Sequence, residues 1–589
     1  EICQWRSVMF LKRATKTFKG KVYESYALTE SYREDGKVKH RNIWNLGSLT
    51  GEQAHRIRLI LTATQNEDMF VGRLSDVVAK THYRFLDIAL LHHFWQYWGL
   101  DDFFADQPLA EVMSINRCLD PKSKFQVNAW VLETVLPRLL HLDPESDEYA
   151  IYRALDQIAI AEGDLQSFLY RKLQELGLDG GQAVFYDITS TYFEGTKCIL
   201  ARFGYSRDKR PDRVQVTIAL VVTPNGYPFY WRVMEGNTPD MATVSELLKD
   251  LRQRFGITEC LLVFDRGMVS EDNLLAISGQ ELKFVTAISR DEIPGLNILD
   301  PDLALCLTLD NWRRELSLAG FIPYDQNLLY REHKLGDRRY ILAFNPELFL
   351  EQQETCQQHY QKAEEFITQL NTELHLAKKS RDPENVQKQI EVRLKKLKMH
   401  KVFAWQLLPV NLSCKTKSGK EKTVQSFKIE YQIDQEALNW QNWLNGFLCF
   451  VTNQPAENLS PGEVISYYRR KNKIEEAFRE IKHYLKLRPV FVTREKRVKA
   501  HVVICVLGYL LLNTLDEKLN DCSDTRSAVQ VLELMGKCLL NRIGLKGDAK
   551  YSESITLVTE NQRETLAALG CSYLVAKKFL EPLLANSNM

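Results

Sequence analysis

No Cys-x-x-Cys pair, and no grouping of cysteine with histidine at zinc-ligand spacing, occurs in the 589 residues, which leaves no basis for a ribbon or finger site. The twelve cysteines are scattered, and that density without a pairing pattern reads as a reduced, intracellular protein. Net charge is also missing: the total is +1, so it gives no support for a nucleic-acid partner, and any basic surface has to be local. The N-terminus lacks a charged-then-apolar leader. The longest apolar run, Val502 to Leu512, is too short to span a bilayer and reads as a buried helix. No internal repeat is present. The first methionine is Met9, so residues 1–8 are read as preceding the natural start. What remains is an ordinary globular composition, 45% hydrophobic and 26% charged, long enough for two to four domains.

Near the N-terminus, alternation over Val22 to Thr29, an Asp35-Gly36 turn and the return Lys37 to Trp44 indicate a hairpin. Helical spacing then runs from about Gly51 to Leu176. The texture changes at Gly181. Short strands are expected at Gln182–Asp187, Val214–Thr223, Phe229–Met234, Glu259–Phe264 and Leu282–Ile288, with helices at Thr243–Phe255 and Glu271–Ser278. Three strands, helix, strand, helix, strand is the RNase H-like arrangement, an α/β fold with a mixed sheet. Residues 291–445 interrupt it with strand-like pieces (Tyr340–Phe344, Val424–Ile433) and two long helical runs split at Asp382-Pro383. Phe366, Leu370, Leu374, Val386, Ile390, Leu394 and Leu397 are spaced for a helical hairpin. Its charged faces are solvated in the simplest reading; the alternative is a partner-binding or dimerising role. Gly446–Thr452 reads as a further strand, and Pro461 opens a helix. Residues 503–589 read as helical.

Asp187 and Asp265 each end a buried-looking strand, and in such a fold those two strands are neighbours. The helix from Pro461 adds Tyr468, Lys471, Glu475 and Lys482, which share one face at steps of three, four and seven. Ile474, Ala477, Phe478, Ile481 and Leu485 form an apolar stripe beside them. Taken singly, an acid after a strand is most often a cap or turn former, and a charged helix face is most often solvated. Three acids converging, Asp187, Asp265 and Glu475, would supply hard oxygen donors suited to Mg²⁺ or Mn²⁺ and to phosphodiester displacement with two ions. Glu476 is the rival third acid, about 100° further round the helix, and Glu475 is preferred.

The same residues carry a family resemblance. Tyr468-x2-Lys471-x3-Glu475-x6-Lys482 resembles the catalytic helix Tyr-x2-Arg-x3-Glu-x6-Lys of the DDE transposases of bacterial insertion sequences, in the retroviral-integrase superfamily. Lys471 stands where that pattern has Arg, keeping the charge but not the bidentate grip. Phe185-Tyr-Asp187-Ile-Thr-Ser-Thr and Val263-Phe-Asp265-Arg-Gly-Met resemble the segments around the family's first two acids. Gly204-Tyr-Ser-Arg-Asp-Lys-Arg-Pro-Asp212 and Glu235-Gly-Asn-Thr-Pro-Asp240 are similar to the same branch. The resemblance covers at least residues 180–515. It implies that Asp187, Asp265 and Glu475 are catalytic and bind two divalent ions. It further implies that Tyr468, Lys471 and Lys482 contact phosphates beside the cleaved end.

Local charge is consistent with this. Lys197 to Arg213 holds six Lys/Arg against two Asp, a net of +4, and Arg469 to Lys499 holds twelve against four Glu, a net of +8. From these runs and beside the second acid, Arg207, Lys209, Arg210, Arg266 and Arg479 join the candidate DNA contacts. The expected organisation is a hairpin and helical region at 9–175 for DNA-end binding, a catalytic core at 176–290 and 446–515, an insertion at 291–445 and a helical C-terminal region at 516–589. The expected activity is cleavage of terminal inverted repeats and joining to target DNA by a dimer or larger assembly. No membrane is involved, and the expected location is the bacterial cytoplasm, on the nucleoid when DNA-bound. The alternatives are a transposase-derived DNA-binding protein that no longer cuts, and a metal-dependent nuclease without strand transfer.

Overall fold

The computed structural model describes residues 8–34, 37–64, 73–143, 149–180, 183–194, 197–415, 421–547 and 551–585; the expected Asp35-Gly36 turn and Gln182 lie outside them. The chain divides into two compact units. One comprises Glu1–Ala89, Glu133–Leu139 and Glu533–Met589, the other Leu90–Leu132 and Leu140–Leu532.

In the first unit β1 (Val8–Phe18), β2 (Lys21–Glu34) and β3 (Lys37–Gly47) form an antiparallel sheet in that order. Only the second and third were expected. Of β1 only Leu11 is buried, so its sequence carries no in-out alternation to read. Leu11, Tyr26 and Ala54 make a small core with the helix Gly51–Ala63, whose start is fixed by a capping box between Thr50 and Gln53. Two expectations need correction here. The N-terminal helical stretch contains β4 (Val77–Arg84), and the C-terminal stretch contains the hairpin Leu539–Leu545 and Tyr551–Ile555. The first strand of that hairpin pairs with β4. A strand whose partner lies almost a whole chain away has no local turn signal to announce it.

The second unit is a mixed α/β structure built on one large sheet. Its strands are β5 (Ala183–Tyr192), β6 (Gln215–Val222), β7 (Pro228–Glu235), β8 (Leu261–Phe264) and β9 (Lys283–Ala287). They continue as β10 (Ile322–Asp325), β11 (Leu328–Leu335) and β12 (Arg338–Phe344). After a separate hairpin, β13 (Phe403–Lys415) and β14 (Glu421–Ile433), the chain returns to the sheet as β15 (Phe447–Thr452). The order is β10-β11-β12-β15-β9-β8-β5-β6-β7. β5, β6 and β7 are antiparallel, whereas β5, β8 and β9 run parallel, with helices Thr243–Gln253 and Glu271–Gly279 in the connections. Every residue of β6 and of β8 is buried, as strands covered on both faces require. Helices Glu495–Asp521 and Ala150–Glu175 pack on one another and against β7. Glu495–Asp521 is long and apolar enough to cross a membrane, but 94% of its apolar window is buried inside the fold, as expected of the Val502–Leu512 run.

The stretch from 291 to 445 contributes β10–β12 to the large sheet and a layer of its own. Its helices Pro346–His375 and Pro383–Lys396 each begin with Pro behind a capping Asn345 or Asp382. Leu370, Leu374, Val386, Ile390, Leu394 and Leu397 are buried in one cluster with Phe403, Phe427 and Ile429 of the β13–β14 hairpin, and Phe366 is partly buried beside it.

Candidate active site

Parallel pairing of β5 with β8 sets Tyr186 opposite Phe264. The next residues, Asp187 and Asp265, therefore emerge at the same level. Asp265 leaves its strand and caps the short turn Arg266–Met268, accepting a hydrogen bond from the Gly267 amide at 3.4 Å. Asp187 does not end its strand. Its pairing with β8 stops at Tyr186, but β5 continues to Tyr192 against β6.

The third element begins at Ser460, which forms a capping box with Glu463, and Pro461 takes the first helical position. The helix runs Pro461–Arg470, tightens at Lys471, continues as Asn472–Arg479 and widens into a π-helical turn, Glu480–Tyr484. Ile474, Ala477, Phe478, Ile481 and Leu485 are buried, and this stripe presses the helix onto the fold, as its spacing indicated. Lys471 Nζ donates to Asp265 Oδ1 at 3.0 Å and to Glu475 Oε1 at 2.8 Å. The Tyr468 hydroxyl approaches Asp265 Oδ1 at 3.5 Å, and its ring packs against Phe450 at a tilt of 52°, with centroids 5.0 Å apart.

Asp187, Asp265 and Glu475 line one cavity of about 280 Å³, together with Arg207, Asp240 and Lys471. A second cavity of about 410 Å³ shares Asp265, Lys471 and Glu475 and adds Arg266 and Tyr468. Lys471 is 8% exposed and Glu475 55%, so the site is open on the Glu475 side. Glu476 does not line either cavity; its charge bears on Glu480 and Asp516. Burial pushes the Asp187 carboxyl up to about 6, with Asp265 and Glu475 adding repulsion and Lys471 opposing both. Burial also pushes Asp265 up, but the charge and hydrogen bond of Lys471, the Gly267 amide and Arg266 outweigh it and hold this acid below its ordinary range. For Lys471 burial works against the charged form, and Asp265, Glu475 and Asp187 overcome it, so the ammonium is kept charged well above its usual pKa. Burial pushes the Tyr468 hydroxyl up to about 12.

Among the described residues no three His, Cys, Asp or Glu side chains stand close enough together to hold one metal ion as they are. The donor chemistry nonetheless fits a divalent cation: hard carboxylates face one cavity, and the ammonium of Lys471 already lies between two of them. Lys471 is thus the group that an ion shared by Asp265 and Glu475 would have to displace.

The expected row of four side chains does not persist. Lys482 lies within the widened turn, which rotates less per residue than an α-helix, and it donates to Asp208 Oδ1 at 2.9 Å. Arg488 binds the same carboxylate oxygen at 2.5 Å. The predicted basic contacts also separate. Arg207 lines the acid cavity paired with Asp240, and Arg266 lines the adjoining one. Arg210 forms a bidentate pair with Asp212, whereas Lys209 and Arg479 are exposed. Sequence reasoning missed Asp240 and Asp208. Both sit in quoted motifs, Glu235–Asp240 and Gly204–Asp212, and the signal available was an acid placed beside a glycine or arginine turn.

A model of the transposase DDE domain matches residues 180–511, more than half of the chain. The chain belongs to the DDE transposases of insertion sequences. The N-terminal domain of the IS1634 family transposases matches residues 11–69 of this transposase, the stretch that holds most of β1–β3 and the helix after them. No curated protein matches the chain. DDE transposase domains generally use divalent metal ions.

Proposed function

We propose that this transposase cuts the terminal inverted repeats of its own insertion sequence and joins the ends to target DNA, with Asp187, Asp265 and Glu475 as the catalytic acids. The observation that carries the reading is that these three carboxylates, delivered by β5, β8 and the helix Asn472–Arg479, line a single cavity. The order β7-β6-β5-β8-β9, three antiparallel strands followed by two parallel ones, supports an RNase H-like core around them.

The three acids would hold Mg²⁺ or Mn²⁺, two ions in all. When bound, such ions supply activation of a water or a 3′-hydroxyl and stabilisation of the leaving oxygen in an in-line displacement. Asp187 contributes a buried charge whose high pKa marks the cost of leaving it uncompensated. Lys471 neutralises Asp265 and Glu475 in the protein alone and would turn to a DNA phosphate once they are otherwise occupied. Tyr468 stays protonated and, with Arg266 in the adjoining cavity, would hydrogen-bond phosphates flanking the reacting bond. Joining requires two ends held together, which implies a dimer or larger assembly on DNA, and β1–β3 with the following helix would recognise the ends.

The test is incubation of the protein and Mg²⁺ with labelled DNA carrying the element's ends, with Asp187→Ala as control. Cleaved and joined products that the control lacks are the expected result. Binding without cleavage overturns the enzyme reading, and cleavage without joined products points to a plain nuclease.

A further inference from the structure

A further cavity, of about 580 Å³, lies in the same unit and shares no lining residue with the two around the acids. Seven Lys and Arg and His501 line it, with no Asp or Glu. Three of the lining side chains are at least nine-tenths buried, Arg117, Lys124 and His501. Each keeps a buried nitrogen without a hydrogen-bond partner: Arg117 Nε, Lys124 Nζ and His501 Nδ1. Isolated buried polar atoms of this kind are costly unless something satisfies them. The cost is visible in their titration. Burial, reinforced by Arg117, pushes Lys124 down to about 7, and burial with the charges of Lys124 and Arg117 pushes His501 well below its usual value.

Some of the surrounding cations are already paired with acids outside the wall, Lys122 with Asp120, Arg488 with Asp208 and Arg497 with Asp156. Arg117 donates Nη1 to the Leu485 and Lys486 carbonyls and Nη2 to the Lys122 carbonyl, which leaves its Nε, beside Lys124 Nζ, for a ligand. Two exposed aromatic rings, Phe125 and Phe491, 64% and 70% accessible, also line the cavity. His501 donates through Nε2 to the Leu487 carbonyl at 3.0 Å, so its Nδ1 is left as an acceptor for a ligand N–H or hydroxyl.

From this combination we infer that the cavity between Arg117, Lys124, His501 and the Phe125 and Phe491 rings is a binding site for a nucleoside monophosphate unit. The phosphate meets Lys124 and Arg117, and the base stacks on the rim aromatics. The unit has two sources with the same chemistry, a free nucleotide or the terminal nucleotide of a single DNA strand. The inference stands apart from the chemistry assigned to the three acids.

The test uses the full chain in EDTA, so that no metal bridges a phosphate to the acid cavity, with calorimetric titration of thymidine 5′-monophosphate, thymidine and inorganic phosphate. The monophosphate should bind with one site per chain, and thymidine at least about tenfold more weakly. Lys124→Met should weaken the monophosphate by about tenfold or more, and the exposed Phe491→Ser, which leaves the buried wall intact, by about fivefold. Glu475→Gln should leave binding unchanged. A short single strand with a 5′-phosphate that binds more tightly than the free nucleotide assigns the site to DNA; the reverse order assigns it to a free nucleotide. No monophosphate binding, or binding indifferent to both Lys124→Met and Phe491→Ser, overturns the inference.

Discussion

Lys471 holds Glu475 at 2.8 Å within one helical turn, and the same ammonium reaches Asp265 at 3.0 Å. A side chain expected to face DNA is therefore bound to two of the three acids. Because a positive charge already lies where a shared ion would go, Lys471→Met should bind Mn²⁺ about tenfold more tightly, by paramagnetic titration without DNA. Cleavage should fall at the same time, since the phosphate contact is lost. Weaker Mn²⁺ binding by this variant would contradict the arrangement.

Lys482 and Asp208 form a buried pair, 8% and 4% exposed, shared with Arg488. Removing Lys482 leaves Asp208 with Arg488 as its remaining partner and takes away one charged hydrogen bond. Lys482→Met should therefore cost about 1.5–3 kcal/mol of stability by urea unfolding. Its DNA affinity should keep the parental dependence on salt. A slope smaller by about one phosphate contact in log K against log salt would return Lys482 to the DNA interface.

Gly204 and Gly236 explain two motifs that the sequence offered only as a likeness. A Cβ on Gly236 would lie 1.9 Å from the Gln215 carbonyl oxygen, and one on Gly204 would lie 2.1 Å from the Gly236 oxygen. Backbones this close admit no side chain. Gly236→Ala should lower stability by about 2 kcal/mol or more and displace Asp240 and Arg207 from the acid cavity. A variant with unchanged Tm and activity would contradict that packing.

The legible parts of this chain were those with a local cause. β6, β7, β9 and the helix from Pro461 announced themselves through apolar runs, turns and a helix-opening proline, and Ile390 and Leu394 of the insertion were spaced for the core they enter. The convergence of Asp187 with Asp265 followed from strand order. The pairing of β4 with Leu539–Leu545 was not legible, because register between remote strands leaves no local trace. Nor was the departure of Lys482 from the row: a π-helical turn shifts phase without changing the spacing of residues in the sequence. The cavity around Lys124 was invisible for a similar reason, since its walls come from three separate stretches of chain.

Lys124 gives the fold a pH dependence. Burial lowers its ammonium from 10.5 to about 7, so between those values the unfolded chain holds a proton that the folded chain has released. Stability contributed by this group therefore rises with pH across that window, and below it both states are protonated and the full penalty of the buried charge is present. Lys124→Met should be more stable than the parent near neutral pH, and the difference should shrink from about pH 7.5 to about pH 9.5 by urea unfolding. A difference constant with pH would show that Lys124 titrates normally.

The central claim is that Glu475, and not its neighbour, completes the acid site with Asp187 and Asp265. The direct measurement is single-turnover cleavage of labelled element ends in Mg²⁺ by Glu475→Gln and Glu476→Gln, with DNA binding measured on the same samples. Glu475→Gln should bind the ends yet cut at least about a hundredfold more slowly, whereas Glu476→Gln should cut within about threefold of the parent. Near-parental cleavage by Glu475→Gln, or its loss in Glu476→Gln alone, would contradict the account.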